Sequence, residues 1–377
     1  DDASEDDDND NNVSDNSKWQ PDADGASNSL LSVGRAHNRA FVVRGSRVGV
    51  FKQTNDDDLE YMATFSPLKN AEGKALKPHR SMLHSADTSL LLSDPTAPKS
   101  LFRLDLERGD VVEEWQTSSN VREMLPETKH APETDSKVLL GLNSKEFFAM
   151  DARQRGDKCV SSRHFQYTRN PGISCGATTG KGQIVLATDN GDIRLFSEKR
   201  SRLSATDLTQ RKPRSSTTLP GFGDPVTAVD VSDDGLWVLA TCKRYLLAIP
   251  TKLDDSNGFE KRMGGRKPAP RRLQLKIEDV RKLGGVVNFT PARFNVGAAG
   301  ERSIVTSTGA WVITWNFRKV KQNVLDVYQM KRYDDIVVQD QFARNTDKKV
   351  VVALPNDVLL ATKSKVATNS PDKRKKK

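Results

Sequence analysis

Cysteine is scarce in this chain. There are three among 377 residues, Cys159, Cys175 and Cys242. The count is odd, the spacing is wide and no C-x-x-C pair occurs. That argues against a disulfide framework and a zinc ribbon, and fits a reducing compartment. Long apolar runs are also missing: no stretch approaches the roughly 18 residues a membrane-spanning helix needs. Histidine is sparse (His37, His79, His84, His130, His164), and none stands in H-E-x-x-H or Cys/His metal spacing. No G-x-S-x-G nucleophile elbow is present. The stretch Gly176–Gly182 imitates a P-loop but has three residues between its first glycines instead of four. Gly182 also stands where a hydroxyl would hold Mg²⁺, and a strand rather than a helix follows. Adjacent acids such as Glu113-Glu114, Asp233-Asp234 and Asp334-Asp335 point to opposite faces of a strand, so they make poor catalytic pairs. No catalytic residue, cofactor or metal ligand is therefore assigned, and the chain is expected not to be an enzyme.

What the chain does have is charge, unevenly placed. Only 36% of its residues are hydrophobic and the mean hydropathy is −0.63. Residues 1–24 hold ten acids and one base, Lys18. Without them the remainder carries 58 basic and 40 acidic residues, a net of +18. Residues 1–28 are expected to be a disordered acidic linker, and residues 364–377, ending in Lys373–Lys377, a disordered basic tail. The first residues, Asp-Asp-Ala rather than Met, suggest a piece of a longer protein. A body this basic attracts acidic protein segments, nucleic acid or acidic lipid surfaces.

Between the tails runs a repeat. Its unit is two short apolar strands joined by a tight polar turn, and the turns centre near residues 45, 95, 144, 190, 243, 308 and 356. In the fourth unit, Gln183–Thr188 passes through Asp189-Asn190-Gly191-Asp192 into Ile193–Phe196. An Asn-Gly between apolar runs is a strong hairpin signal, and it predicts positive φ at both residues. Intervals of 46 to 65 residues match propeller blades of four strands, and a closed ring removes the exposed edges that a β-sandwich of this length would carry. Val226–Val231 and Ile336–Phe342 read as inner strands and Leu59–Phe65 as an outer one. The expectation is an all-β, seven-bladed WD40-like propeller over residues 29–363. Mobile basic insertions are expected near 199–214 and 253–272. Strands from both chain ends, near Leu30–Val33 and after Val358, are expected to share the closing blade.

Several uncommon strings have a further resemblance. They are Phe41–Gly45, Val111–Trp115, Arg169–Ile173, Thr290–Asn295, Ile313–Val320, Lys331–Asp335 and Val350–Pro355. Across about Leu31 to Lys363 the chain resembles the vacuolar import and degradation family (Vid twenty-seven and Cypro-type proteins). The resemblance implies a WD40-like propeller at the end of a larger cytoplasmic protein. There an acidic linker would join it to a part that is pleckstrin-homology-like. It implies a non-catalytic role in delivering cytosolic proteins to the vacuole, and no catalytic residues.

Polar stretches just before inner strands supply the candidate partner contacts: Arg169, Asn170, Arg293, Asn295, Arg332 and Tyr333. The basic loops add Lys199, Arg200, Arg211, Lys212, Arg214, Lys261, Arg262, Arg266 and Lys267. The expected function is a monomeric interaction scaffold that binds other proteins through acidic segments. The alternative is charge-driven binding of nucleic acid or acidic lipid. It is weakened by the shortage of aromatic rings to stack bases, Phe259 being the only one near the second loop. The expected location is the cytoplasm, with the nucleus as the alternative that Lys373–Lys377 allows.

Overall fold

The computed structural model describes Trp19 and residues 25–54, 58–197, 215–296 and 300–362. Residues 1–24 apart from Trp19, the basic stretch 199–214 and the tail 364–377 lie outside the described residues; the linker expected over 1–28 ends earlier, since Asn28 already opens a strand.

Seven antiparallel sheets form a closed ring of blades. Their innermost strands are Asn28–Val33, Arg80–His84, Glu123–Pro126, Ile173–Thr178, Val226–Val231, Arg293–Phe294 and Gln339–Phe342. Blades 1 to 6 have four strands each and blade 7 has three. Each hairpin read from the sequence is made by the second and third strands of a blade, for example Arg39–Arg44 with Arg47–Gln53 and Ile184–Thr188 with Ile193–Phe196. Those strands read as apolar runs because neighbouring blades bury both of their faces. The core is accordingly seven clusters, one at each junction between adjacent blades. One of them joins Leu31, Val42 and Phe51 of blade 1 to Val351, Ala353 and Val358 of blade 7, which closes the ring.

Three details differ from the reading of the sequence. Of the Asn190-Gly191 pair, only Gly191 takes positive φ (84°). The Thr188 carbonyl accepts from the Gly191 amide and the Thr188 amide donates to the Asp192 carbonyl. The turn is thus longer than a two-residue hairpin. The chain ends do not share a blade. Leu30–Val33 belongs to blade 1, and Val358–Thr362 is the third strand of blade 7. Polar side chains bridge the seam instead: the Gln339 and Gln341 amide oxygens accept from the Leu31 and Val33 amides at 2.7 and 3.2 Å. Residues 253–272, expected to be mobile, are pinned. Phe259 and Met263 are buried, the Met263 amide donates to the Thr217 hydroxyl at 3.1 Å, and that hydroxyl donates to the Lys261 carbonyl. The insertion runs into the outer strand of blade 5, Arg271–Leu273. Two short helices, α1 (Ile277–Lys282) and α2 (Phe317–Lys321), interrupt the strands. Asn316 caps α2, which buries Phe317 and Val320.

Candidate interaction site

A groove of about 1040 Å³ crosses the outer edge of blade 4. One wall is the connection that leaves the outer strand of blade 3, Gln166 to Pro171. The floor comes from Arg194 and Ser215–Thr218 of blade 4, and the far wall from Arg262–Gly265 and Lys267 of the pinned insertion. The fold thereby brings together Arg169, Asn170, Arg262 and Lys267, which are far apart in the sequence. It adds Arg194, which strand alternation alone did not mark. No acidic residue lines the groove among the described residues. Among the described residues, Arg169, Arg262 and Lys267 have no ion partner, and Arg194 only a loose one, 3.8 Å from Asp192. Arg194 also lies over one face of the Tyr167 ring at 5.2 Å, and Tyr167 is the one aromatic residue among the described residues lining the groove. Gly264 and Gly265 have open space where a Cβ would stand, which leaves that wall as bare backbone. Asn170 is partly committed to its own turn, since its side-chain oxygen accepts from the Gly172 amide at 2.9 Å. Lys261 and Arg266 fall outside the lining, and Arg266 makes an exposed pair with Asp254.

The other sequence candidates lie elsewhere. Arg293 stands on the inner strand of blade 6 and lines the central channel. Asn295 is 3% exposed, and its side chain accepts from the Arg302 and Ser303 amides and donates to the Gly300 carbonyl, so it shapes a loop. Arg332 ends the outer strand of blade 6 and is exposed. Tyr333 is buried next to it. Burial beside Asp340 pushes its hydroxyl up to about 12.

The channel itself is a cavity of about 320 Å³ with charged walls. Lys129 reaches from blade 3 across blade 4 to Asp230 of blade 5, with Nζ 3.1 Å from the carboxylate. Burial pushes the Asp230 carboxyl up, and Lys129, Arg293 and the amides of Phe294 and Val231 together more than offset it, holding it below its ordinary value. Glu123 has no direct partner among the described residues. Burial pushes its carboxyl up despite Arg80 and Arg293. Its ionised form is therefore a cost that is present above the raised value and vanishes as pH falls below the ordinary carboxylate range. Glu123→Gln should raise the melting temperature by roughly 1–3 °C at pH 7 and leave it unchanged near pH 4. A melting curve at the two pH values checks this, and a gain of the same size at both would contradict it.

A solved β-propeller domain of Cps50 (Swd1) from Myceliophteria thermophila superposes with a TM-score of 0.60, covering 90% of this chain and 96% of that one at 9% identity. That shows the fold alone. The vacuolar import and degradation protein 27 of Schizosaccharomyces pombe is 38% identical over 363 residues, covering 93% of this chain and 44% of the relative. That of Saccharomyces cerevisiae is 33% identical over 355 residues, covering 89% and 43%. The chain thus spans less than half the length of these curated relatives. The family described as the VID27 C-terminal WD40-like domain matches residues 26–375, and the chain belongs to that family.

Proposed function

We propose that this propeller is a non-catalytic scaffold that holds an acidic protein segment in the rim groove of blades 3 to 5. Its role would be in the vacuolar import and degradation for which its relatives are named. The observation that carries the reading is the convergence of Arg169, Arg194, Arg262 and Lys267 on one groove that, among the described residues, no carboxylate lines. Charges of one sign on a recessed surface steer and hold a partner of the other sign. A single aromatic residue, with one face under Arg194, favours a peptide over single-stranded nucleic acid, which needs open rings for stacking. The protein would act in the cytoplasm, and delivery of cytosolic cargo is the process that such docking serves.

The test is fluorescence anisotropy with an Asp/Glu-rich peptide and with a single-stranded oligonucleotide of equal charge, at 50 and 150 mM salt. The intact chain should bind the peptide at both salts. Arg169→Glu/Arg262→Glu/Lys267→Glu should weaken it by roughly 10-fold or more, because each reversal replaces attraction with repulsion. Tighter binding of the oligonucleotide, lost at 150 mM salt, would make charge alone the function and remove the scaffold reading.

A further inference from the structure

We infer that one mouth of the central channel is a binding site for the phosphate or carboxylate group of a small anionic molecule. This site is separate from the rim groove. At that mouth the first connections of several blades meet around a cleft of about 40 Å³. It opens into the 320 Å³ channel, and Arg35 and Arg293 line both. At about 10–15 Å³ for each water, the cleft has room for roughly three waters, the scale of one oxyanion group.

Three arginines from three blades line the cleft: half-buried Arg35 of blade 1 and the exposed Arg293 of blade 6 and Arg344 of blade 7. None makes a hydrogen bond or ion pair among the described residues. For Arg35 this is costly, because its Nη1 is fully buried with no partner, and burial lowers its pKa. A buried polar atom without a partner calls for an explanation such as an unseen ligand. Three carboxylates are near enough to feel Arg35, and none is hydrogen-bonded to it: Asp230 and Glu133, which line the cleft with it, and Asp87, whose Oδ2 accepts from the Ala36 and His37 amides at 2.6 and 3.0 Å. Asp230 accepts from Lys129, Val231 and Phe294, and Glu133 is bonded to His130 at 3.1 Å. A guanidinium presents its donors as a flat fork that matches a phosphate or carboxylate edge. The unmet buried donor of Arg35, with two further arginines lining the same cleft, is thus of the type that an oxyanion satisfies. The channel behind the cleft, with Arg80 further along its wall, accommodates the rest of a compact molecule.

The experiment uses the full chain in a background of Arg169→Ser/Arg262→Ser/Lys267→Ser, so that binding at the rim groove does not report. Pyrophosphate and citrate are each titrated by calorimetry, and melting curves are recorded with and without them. Binding of one or both at a single site is expected, and which binds tighter tells phosphate from carboxylate. Arg35→Met or Arg293→Gln should each weaken it by roughly 10-fold or more, the loss of a charge-assisted hydrogen bond. Arg35→Lys keeps the charge without the fork and should lose most of the affinity. Without ligand, Arg35→Met should raise the melting temperature by roughly 1–3 °C, because it removes a buried unpaired charge. No binding of either anion at millimolar concentration, unchanged affinity in both Arg35→Met and Arg293→Gln, or a lower melting temperature for unliganded Arg35→Met would each overturn the inference. Because the rim groove is already neutralised, none of these results bears on the acidic-segment reading.

Discussion

Replacing Asn28 with Ala should lower the melting temperature by roughly 5–10 °C, a loss of about 3–5 kcal/mol, from a residue that touches no partner. Asn28 opens the inner strand of blade 1 at the seam with blade 7. Its side-chain nitrogen donates to the Leu354 carbonyl at 2.7 Å and the Asp357 carbonyl at 3.2 Å. Its oxygen accepts from Arg44 Nε at 2.9 Å and from Trp19 Nε1 at 3.0 Å. Arg44 is 0% exposed, so its guanidinium would lose an acceptor where water does not reach. Trp19 lies under Arg44, 4.4 Å from the guanidinium carbon, and is packed with Phe51 and Tyr61. One amide therefore ties the start of the fold, its end and a buried charge. A bond to a charged group contributes about 1.5–3 kcal/mol and each stranded carbonyl about 1 kcal/mol or more, which gives the magnitude. Hydrogen exchange should localise the effect, with faster exchange in Leu30–Val33 and Val350–Val352 together. A variant that melts within 1 °C of the parent, or that loosens blade 1 alone, would show that the seam is held by its apolar cluster and not by this amide.

That residue also shows why the blades were legible in the sequence while the closure was not. A hairpin is written locally. Leu139, Leu140 and Leu142, the turn at Asn143-Ser144-Lys145, and Phe147–Met150 follow one another, and burial between two blades makes each strand apolar throughout. Asn28 and Leu354 lie 326 residues apart, and neither belongs to a pattern that names the other. The inner strand of blade 6 is two residues long, Arg293–Phe294, too short to carry a period. Helix α2 lies within a string read for its resemblance, and tertiary burial of Phe317 and Val320 sets it, not propensity. For the rim groove, charge marked Arg169 and Arg262 separately. Only the pinned insertion, held by Met263 and Thr217, brings them to one surface. Arg194 looked like an ordinary strand residue, and Arg35 and Lys129 carried no local signal. A cation that matters because its partner sits on another blade leaves no mark on its neighbours in the chain.

Lys129 makes that dependence measurable. Lys129→Met should cost about 3–5 kcal/mol, the usual penalty for removing one member of a buried ion pair. The lysine is 6% exposed, and its ammonium donates to Asp230 Oδ1 and to the Val231 carbonyl. Without it the Asp230 carboxylate remains buried with two backbone amides and the field of Arg293. The pH dependence follows from the sign of the shift. In the intact chain Asp230 is held below its ordinary value, so its contribution is present above the ordinary carboxylate range and is lost as pH falls through the lowered one. In Lys129→Met burial dominates and the shift reverses, so ionised Asp230 becomes a cost that disappears on acidification. The stability gap between parent and variant should therefore be widest near pH 7 and narrow steadily through the acid range. Adding Asp230→Asn to Lys129→Met should recover roughly half of the loss at pH 7 by removing the stranded charge. A double variant no more stable than the single one, or a gap that does not change with pH, would show that packing of the Lys129 stem matters and the ion pair does not. The same substitution acts on the channel mouth. Once released from Lys129, Asp230, which already acts on Arg35 and Arg293, is freer to pair with them and competes with any oxyanion for them. Lys129→Met should consequently weaken pyrophosphate or citrate binding, and Lys129→Met/Asp230→Asn should restore it, so one pair of side chains sets both the stability of the ring and the charge of its channel.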